Sequence, residues 1–191
     1  MAEAWSWIAV RSLGIVAYGL ATGSVLLGLS RSTRSDGFLD APTSIALHRT
    51  LSWLAVATAA AHALLLLVDR AVPFELVQIV LPLRSTYRPV AVGLGTVALW
   101  GLAGIVVASL ASHKTPRLFR WAHRGALGVF LAATFHGILA GTDSGRLALL
   151  LLYGGVTIAV VFLLFLRLFQ RVSRAPAQPV RNGRARADLV A

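Results

Sequence analysis

Five apolar stretches, each long enough to cross a bilayer, constrain the fold of this 191-residue chain more than any other feature. They lie at roughly residues 5–29, 44–68, 89–111, 119–140 and 147–169, and about 20 apolar residues are enough to cross the hydrocarbon core. Apolar residues make up 57% of the chain and charged residues only 13%, which is unlike an average soluble domain. We therefore predict an all-α integral membrane protein, a bundle of five transmembrane helices.

The chain outside these spans is predicted to form an interfacial segment and a tail. Residues 72–83 are apolar but too short to cross, and they contain two prolines and Glu75, which favours a position at the membrane interface. Residues 172–191 are rich in Arg, Pro, Ala and Gly and show no apolar period, so we expect a disordered basic tail. The membrane domain then covers residues 1–171.

The N-terminal span has a rival interpretation as a cleaved signal peptide. Arg11 precedes a short apolar run and small residues near Ala21, as in such peptides. However, Glu3 and two tryptophans come before Arg11, and apolar residues continue to Leu29. These features favour a retained helix with aromatic residues at the membrane boundary, and they place Arg11 just inside that boundary.

Basic residues are distributed unevenly between the two ends of the predicted bundle. The first and third connections and the tail share one end, the basic end, which carries Arg31, Arg34, Lys114, Arg117, Arg120, Arg167, Arg171, Arg174, Arg181, Arg184 and Arg186. The other end has Arg70, Arg84, Arg88 and Arg146. The positive-inside rule predicts a plasma or inner membrane protein with its N-terminus outside and its C-terminus cytoplasmic. The net charge of +11 does not indicate a nucleic-acid partner, because the basic residues lie between apolar runs.

Four of the five histidines fall in two of the spans. His48 and His62 lie in the second span, and His123 and His136 lie in the fourth. These two spans are parallel, since one whole span separates them. The second histidine follows the first by 14 residues in one span and by 13 in the other, which is about 20 Å along a helix. The histidines therefore form two levels, each with one imidazole from each helix.

The chemistry of these levels is limited by which other ligands the chain has. There is no cysteine, and the only methionine is the first residue, so histidine is the strongest transition-metal ligand. A zinc or non-haem iron site would bring its ligands together at one level, whereas two haems stacked across the bilayer match two levels. At 100° per residue, 14 steps return to within about 40° of the starting face, but 13 steps end about 140° away. The fourth span then needs a π-bulge, a kink or a different approach of its second imidazole.

Three arginines lie next to these levels. Arg49 and Arg124 directly follow His48 and His123, and Arg11 is near the outer boundary of the first span. Guanidinium groups pair with carboxylates through a planar fork, so the three arginines are candidates to hold haem propionates. The alternative interpretation is that Arg49 and Arg124 only anchor the basic end.

The chain resembles the ferric reductase-like transmembrane domain of ferric reductases, NADPH oxidases and the haem subunit of bacterial methionine sulfoxide reductase systems. The resemblance covers about residues 5–171 and is most specific in His48-Arg49-x-Leu-Ser with His62, His123-Arg124-x-x-Leu-Gly with His136, and the preceding Arg11. It implies two b-type haems, an inner one on His48 and His123 and an outer one on His62 and His136. It also implies electron transfer from a cytoplasmic donor to an outer acceptor.

The sequence departs from the oxidases of this family after the fifth span. It has no Gly-rich nucleotide fingerprint there, so we expect the membrane haem subunit of an oxidoreductase that receives electrons from a separate flavoprotein or a quinol. Phe130 lies near the aromatic position that the oxidases often have between their haems, and it has an ordinary explanation as a core residue. His113 is predicted to be solvated at the basic end. The oligomeric state stays open.

Two rival functions remain at this point. One is a quinone-reactive cytochrome b, with a quinone pocket beside one haem. The other is a haem-free transporter-like membrane protein in which the histidines are hydrogen-bonded structural residues or proton relays.

Overall fold

Residues 2–33 and 39–173, which the computed structural model describes, form six helices and no strand. The helices are α1 (Ala2–Thr33), α2 (Ala41–Leu66), α3 (Leu76–Val80), α4 (Pro89–Leu110), α5 (Pro116–Ala140) and α6 (Leu147–Ser173). The prediction of an all-helical chain is confirmed. Prolines occupy the first turn of α2, α4 and α5, where the missing amide hydrogen has no helical partner to lose.

Four of the described helices are long and apolar enough to cross a membrane. They are the segments Trp5–Thr33, Ala41–Leu66, Pro89–Leu110 and Leu147–Ser173. With its 25 residues α5 is also long enough, but its first half carries three arginines and a histidine, which lower its hydropathy. The fifth span therefore stays a prediction.

The segments outside the spans differ in part from expectation. The predicted interfacial stretch contains only the short helix α3, and the indole Nε1 of Trp100 donates a 2.9 Å hydrogen bond to the carbonyl of Val80 at its end. α6 continues to Ser173, so the first two residues of the predicted tail, 172 and 173, are helical. The remainder of that tail, residues 174–191, lies outside the described residues.

The long helices pack as two antiparallel pairs. α1 packs along α2, α4 packs along α5, and α6 lies against α1. A buried cluster with Tyr18, Phe130 and Tyr153 joins α1, α5 and α6. α2 and α5, the two helices that carry the histidine pairs, do not pack closely on each other, and a cavity separates them.

The outward faces of the helices are apolar, as expected where lipid rather than water surrounds the protein. Phe162, Phe165 and Phe169 of α6 are each more than half exposed. Monomeric soluble proteins rarely expose such a continuous apolar surface. This surface and the four long apolar helices are consistent with a membrane protein.

Candidate functional site

The four histidines of α2 and α5 meet as two pairs. The ring centroids of His48 and His123 are 5.9 Å apart, and those of His62 and His136 are 6.3 Å apart. The ring planes are nearly perpendicular in the first pair, at 89°, and inclined by 70° in the second. The predicted levels and the parallel course of the two helices are therefore present in the fold.

The His62/His136 pair is held from both sides by backbone carbonyls of neighbouring helices. Nδ1 of His62 donates to the carbonyl of Val10 in α1, and Nδ1 of His136 donates to the carbonyl of Ala91 in α4, each at 2.8 Å. A carbonyl can only accept, so each bond fixes the proton on Nδ1. Both Nε2 atoms are left with a lone pair, which is the form of imidazole that binds a metal.

His48 of the other pair is held in the same way. Its Nδ1 lies 2.8 Å from the carbonyl of Ser24 in α1 and 3.1 Å from the hydroxyl of the same residue. The Ser24 hydroxyl is also 2.7 Å from that of Ser52, which donates to the carbonyl of His48. This small polar network connects α1 and α2 at the level of the imidazole.

Three glycines let these rings reach their carbonyls. Gly14, Gly28 and Gly95 face His62, His48 and His136 respectively, and each follows the accepting residue by four positions in its helix. A Cβ carbon at Gly95 would lie only 2.7 Å from Nδ1 of His136. Without side chains at these positions, the rings lie directly against the backbone of the neighbouring helix.

His123 is bound differently from the other three. Within the described residues, no hydrogen bond to its ring nitrogens is formed; the ring stacks instead on Phe119, one turn earlier, at 5.4 Å and 24°. His123 is exposed, whereas the other three histidines are half-buried. The 13-residue spacing explains this difference: His136 points at α4, and His123, about 140° further around α5, cannot also do so.

α5 does not need a π-bulge to bring its two histidines to the cavity. It is a continuous α-helix from Pro116 to Ala140, so the π-bulge offered as one possibility is absent. Each imidazole instead reaches its partner from a different side of the helix.

A single cavity connects both histidine pairs. It has a volume of about 1610 Å³ and is lined by all four histidines and mainly by apolar side chains. Pockets for one small molecule usually occupy 300–1,000 Å³, so this cavity is large enough for more than one such group. Its position between α2 and α5 explains why these helices stay apart.

The middle of the cavity wall, between the two pairs, is aromatic. Tyr18 of α1 stacks on Phe130 of α5 with centroids 5.5 Å apart and planes inclined by 11°. Tyr153 of α6 lies 5.1 Å from Tyr18, and the Thr134 hydroxyl is 3.4 Å from the Tyr18 hydroxyl. All four side chains are buried. They close the cavity laterally and hold α1, α5 and α6 together.

Arg11 lies at the His62/His136 level, directly after the carbonyl that holds His62. Its guanidinium donates a 2.7 Å hydrogen bond to the Thr142 hydroxyl and lies 3.2 Å from the Asp143 carboxylate. It also lies over the ring of Trp7, 5.7 Å from the centroid. Arg11 lines the cavity, so it can face an anionic group there while Asp143 balances part of its charge.

The basic end of the cavity carries several cations. Arg49 and Arg124 line it, and the Arg124 guanidinium lies 5.4 Å from the ring centroid of the exposed Trp121. His113, Arg167 and Arg171 line the same end. His113 is exposed there, as expected, and it belongs to the mouth of the cavity.

The described residues contain no group of three or more His, Cys, Asp or Glu side chains that could hold a metal ion by themselves. Structural zinc sites need four such ligands, so the histidines do not form one. A haem requires only two axial ligands from the protein, because its macrocycle supplies the others. With a metal-to-nitrogen distance of about 2.0 Å, as at zinc sites, imidazoles on opposite sides of one metal have ring centres about 6 Å apart. Both pairs fit this requirement.

Comparisons of the chain with protein-family models, with curated proteins and with solved structures gave no match.

The sequence did not reveal the carbonyls and glycines that hold the imidazoles. A signal was present, since Gly14 and Gly28 are separated by 14 residues, like His48 and His62 on the helix packed against them. Among other glycines of α1 and α4, Gly23 faces Leu51 and Gly101 faces Val129, but Gly19 and Gly104 face nothing within 4 Å.

Proposed function

We propose that this chain is a membrane cytochrome that holds two b-type haems, one between His48 and His123 and one between His62 and His136, and passes electrons across the bilayer. The observation that carries the proposal is the pairing of imidazoles at 5.9 and 6.3 Å across a large apolar cavity. Three of these imidazoles have Nδ1 bound to a carbonyl and Nε2 free. Bound haem supplies reversible one-electron chemistry.

The chain's own groups set the conditions for that chemistry. The carbonyls of Val10, Ser24 and Ala91 fix the tautomer of their imidazoles and raise their basicity as ligands. The apolar lining excludes water from the space between α2 and α5. Arg49 and Arg124 at one level and Arg11 at the other are positioned to pair with propionates.

The proposal includes a fifth membrane span, α5, and a cytoplasmic basic end. The arginines of α5 cluster in its first half, where they reach the headgroup region, and its second half is apolar apart from His136 and Thr134. Both histidine levels then lie within the bilayer, with His48 and His123 on the cytoplasmic side.

Donor and acceptor follow from the charge of the two ends and from the resemblance to ferric reductase-like domains. A cytoplasmic flavoprotein with an acidic docking face, or a quinol, delivers electrons at the basic end, where Arg124 of α5 and Arg167 and Arg171 of α6 line the cavity. An outer acceptor takes them at the His62/His136 level. His62 and His136 would both bind the iron of a haem there, so an acceptor would not bind to that iron and would take the electron by outer-sphere transfer.

Electron transfer across a sealed membrane tests this proposal. The haem-loaded protein is reconstituted into vesicles that contain ferricyanide, and dithionite, which crosses bilayers slowly, is added outside. We expect the trapped ferricyanide to be reduced much faster than in vesicles without protein. The matched control is His62→Ala, which interrupts the chain of two haems and is expected to slow reduction to near the protein-free rate. Equal rates with and without the wild-type protein would contradict the proposal.

A further inference from the structure

The two imidazoles at the His48/His123 level are not held in the same way. Nδ1 of His48 is bound to the Ser24 carbonyl at 2.8 Å, but within the described residues His123 makes no hydrogen bond through its ring. At the His62/His136 level, Nδ1 of each imidazole lies 2.8 Å from a backbone carbonyl oxygen. Of the four imidazoles, that of His123 is therefore held by ring stacking alone.

A hydrogen bond on the second ring nitrogen matters for how firmly a histidine stays on a metal. It orients the ring and increases its basicity, and loss of such a partner typically lowers metal affinity about 10–100-fold. His123 lacks this support and has only the stacking contact with Phe119. A metal bond to His123 would thus be the weakest of the four.

Access to this position is also better than to the other three. His123 is exposed, and it lies near the cavity mouth together with the half-buried Phe119. His62 and His136 are half-buried beneath the outer polar cluster of Arg11, Thr142 and Asp143. Haem propionates would occupy the cations at this end, and the rest of the cavity lining is mainly apolar, which suits a small neutral molecule.

Resting on the proposed function, we infer that His123 is an exchangeable ligand and that the His48/His123 level binds small neutral diatomic molecules, such as carbon monoxide, in the ferrous state. In this exchange the bond from Nε2 of His123 to iron breaks, and a bond from the diatomic to iron forms. No electron or proton is transferred, and His123 remains a neutral imidazole beside Phe119. The His62/His136 level stays closed to the same molecule.

Carbon monoxide binding to the dithionite-reduced holoprotein tests this inference. We expect one carbon monoxide per two haems, with half-saturation at a concentration at least about tenfold lower than for any binding at the second haem. Two variants locate the site, His48→Ala and His62→Ala. They are matched, since both remove an α2 histidine that is bound to a carbonyl of α1. The haem that remains in His62→Ala should bind carbon monoxide, and the haem that remains in His48→Ala should not.

The outcomes separate this inference from the proposed function. Two haems per chain with no carbon monoxide bound, or with both binding equally, would overturn the inference and leave the two-haem cytochrome intact. Binding only in His48→Ala would also overturn it. A protein without haem would contradict the proposed function itself. If a variant loses both haems, the stoichiometry of the wild-type protein still tests the inference, because no carbon monoxide, or two per two haems, would overturn it.

Discussion

The two histidine pairs use the same two helices but are held differently. At the His62/His136 level both rings are bound to carbonyls of neighbouring helices, whereas at the His48/His123 level only His48 is. The spacing of 14 residues in α2 keeps both of its histidines on the face that packs against α1. The spacing of 13 in α5 turns one away from α4. The difference of one residue between the two spacings thus accounts for two hydrogen-bonded rings at the His62/His136 level and only one at the His48/His123 level.

The largest expected effect comes from removing a ligand. We predict that His62→Ala or His136→Ala each lowers the haem content from two to one per chain, because one imidazole binds b-type haem more weakly than two. His123→Ala should retain more of its haem than His136→Ala, because the His123 ring makes no hydrogen bond within the described residues, whereas the His136 ring is bound to the Ala91 carbonyl. Pyridine haemochrome assays on the purified variants measure this. Full haem content in the alanine variants of all four histidines, His48→Ala included, would show that these histidines are not the ligands.

A smaller effect, confined to one level, is expected from filling a glycine site. In Gly95→Ala the new methyl group would lie 2.7 Å from Nδ1 of His136, so the ring must move and its bond to the Ala91 carbonyl is lost. We predict about 10–100-fold weaker haem binding at this level only. The control is Gly104→Ala on the same helix, where nothing lies within 4 Å. Equal haem affinity in the two variants would contradict the role of Gly95.

The charge of Arg11 should act on the potential of one haem. Arg11→Gln removes a cation near the His62/His136 level, which disfavours the reduced state because that state carries one more electron. We predict a midpoint potential lower by on the order of 50 mV for this haem, and little change for the other, which is more distant. Asp143→Asn removes the partner of Arg11 and should shift the potential upwards. A redox titration followed at the haem bands measures both, and shifts of the same sign would contradict this account.

The smallest effect is expected from removing the Tyr18 hydroxyl, which lies in the cavity wall between the two histidine pairs. Tyr18→Phe removes only a hydroxyl that makes a 3.4 Å contact with Thr134, and the stacking on Phe130 remains. We predict unchanged haem content and a loss of thermal stability of no more than about 1 kcal/mol. Phe130→Ala, which opens a gap in the buried cluster, should cost about 3–5 kcal/mol. Thermal unfolding in detergent compares the two, and similar losses would show that Tyr18 contributes through its hydroxyl.

The sequence was sufficient to predict the helical architecture and the pairing of histidines, since both follow from periods along one chain. It was not sufficient for the groups that hold the imidazoles. Every residue has a backbone carbonyl, so the sequence does not single out those of Val10, Ser24 and Ala91. Which carbonyl faces a histidine depends on the register between packed helices. The pairing of Arg11 with Asp143 likewise depends on how the end of α5 approaches α1.

The central claim is that each histidine pair holds one haem. The most direct test is a count of haem per chain in the purified protein, by pyridine haemochrome assay together with a dithionite-reduced minus oxidised spectrum. The account predicts two b-type haems per chain, both reducible by dithionite. No bound haem after expression with ample haem would contradict it and would favour a haem-free, transporter-like role for the histidines.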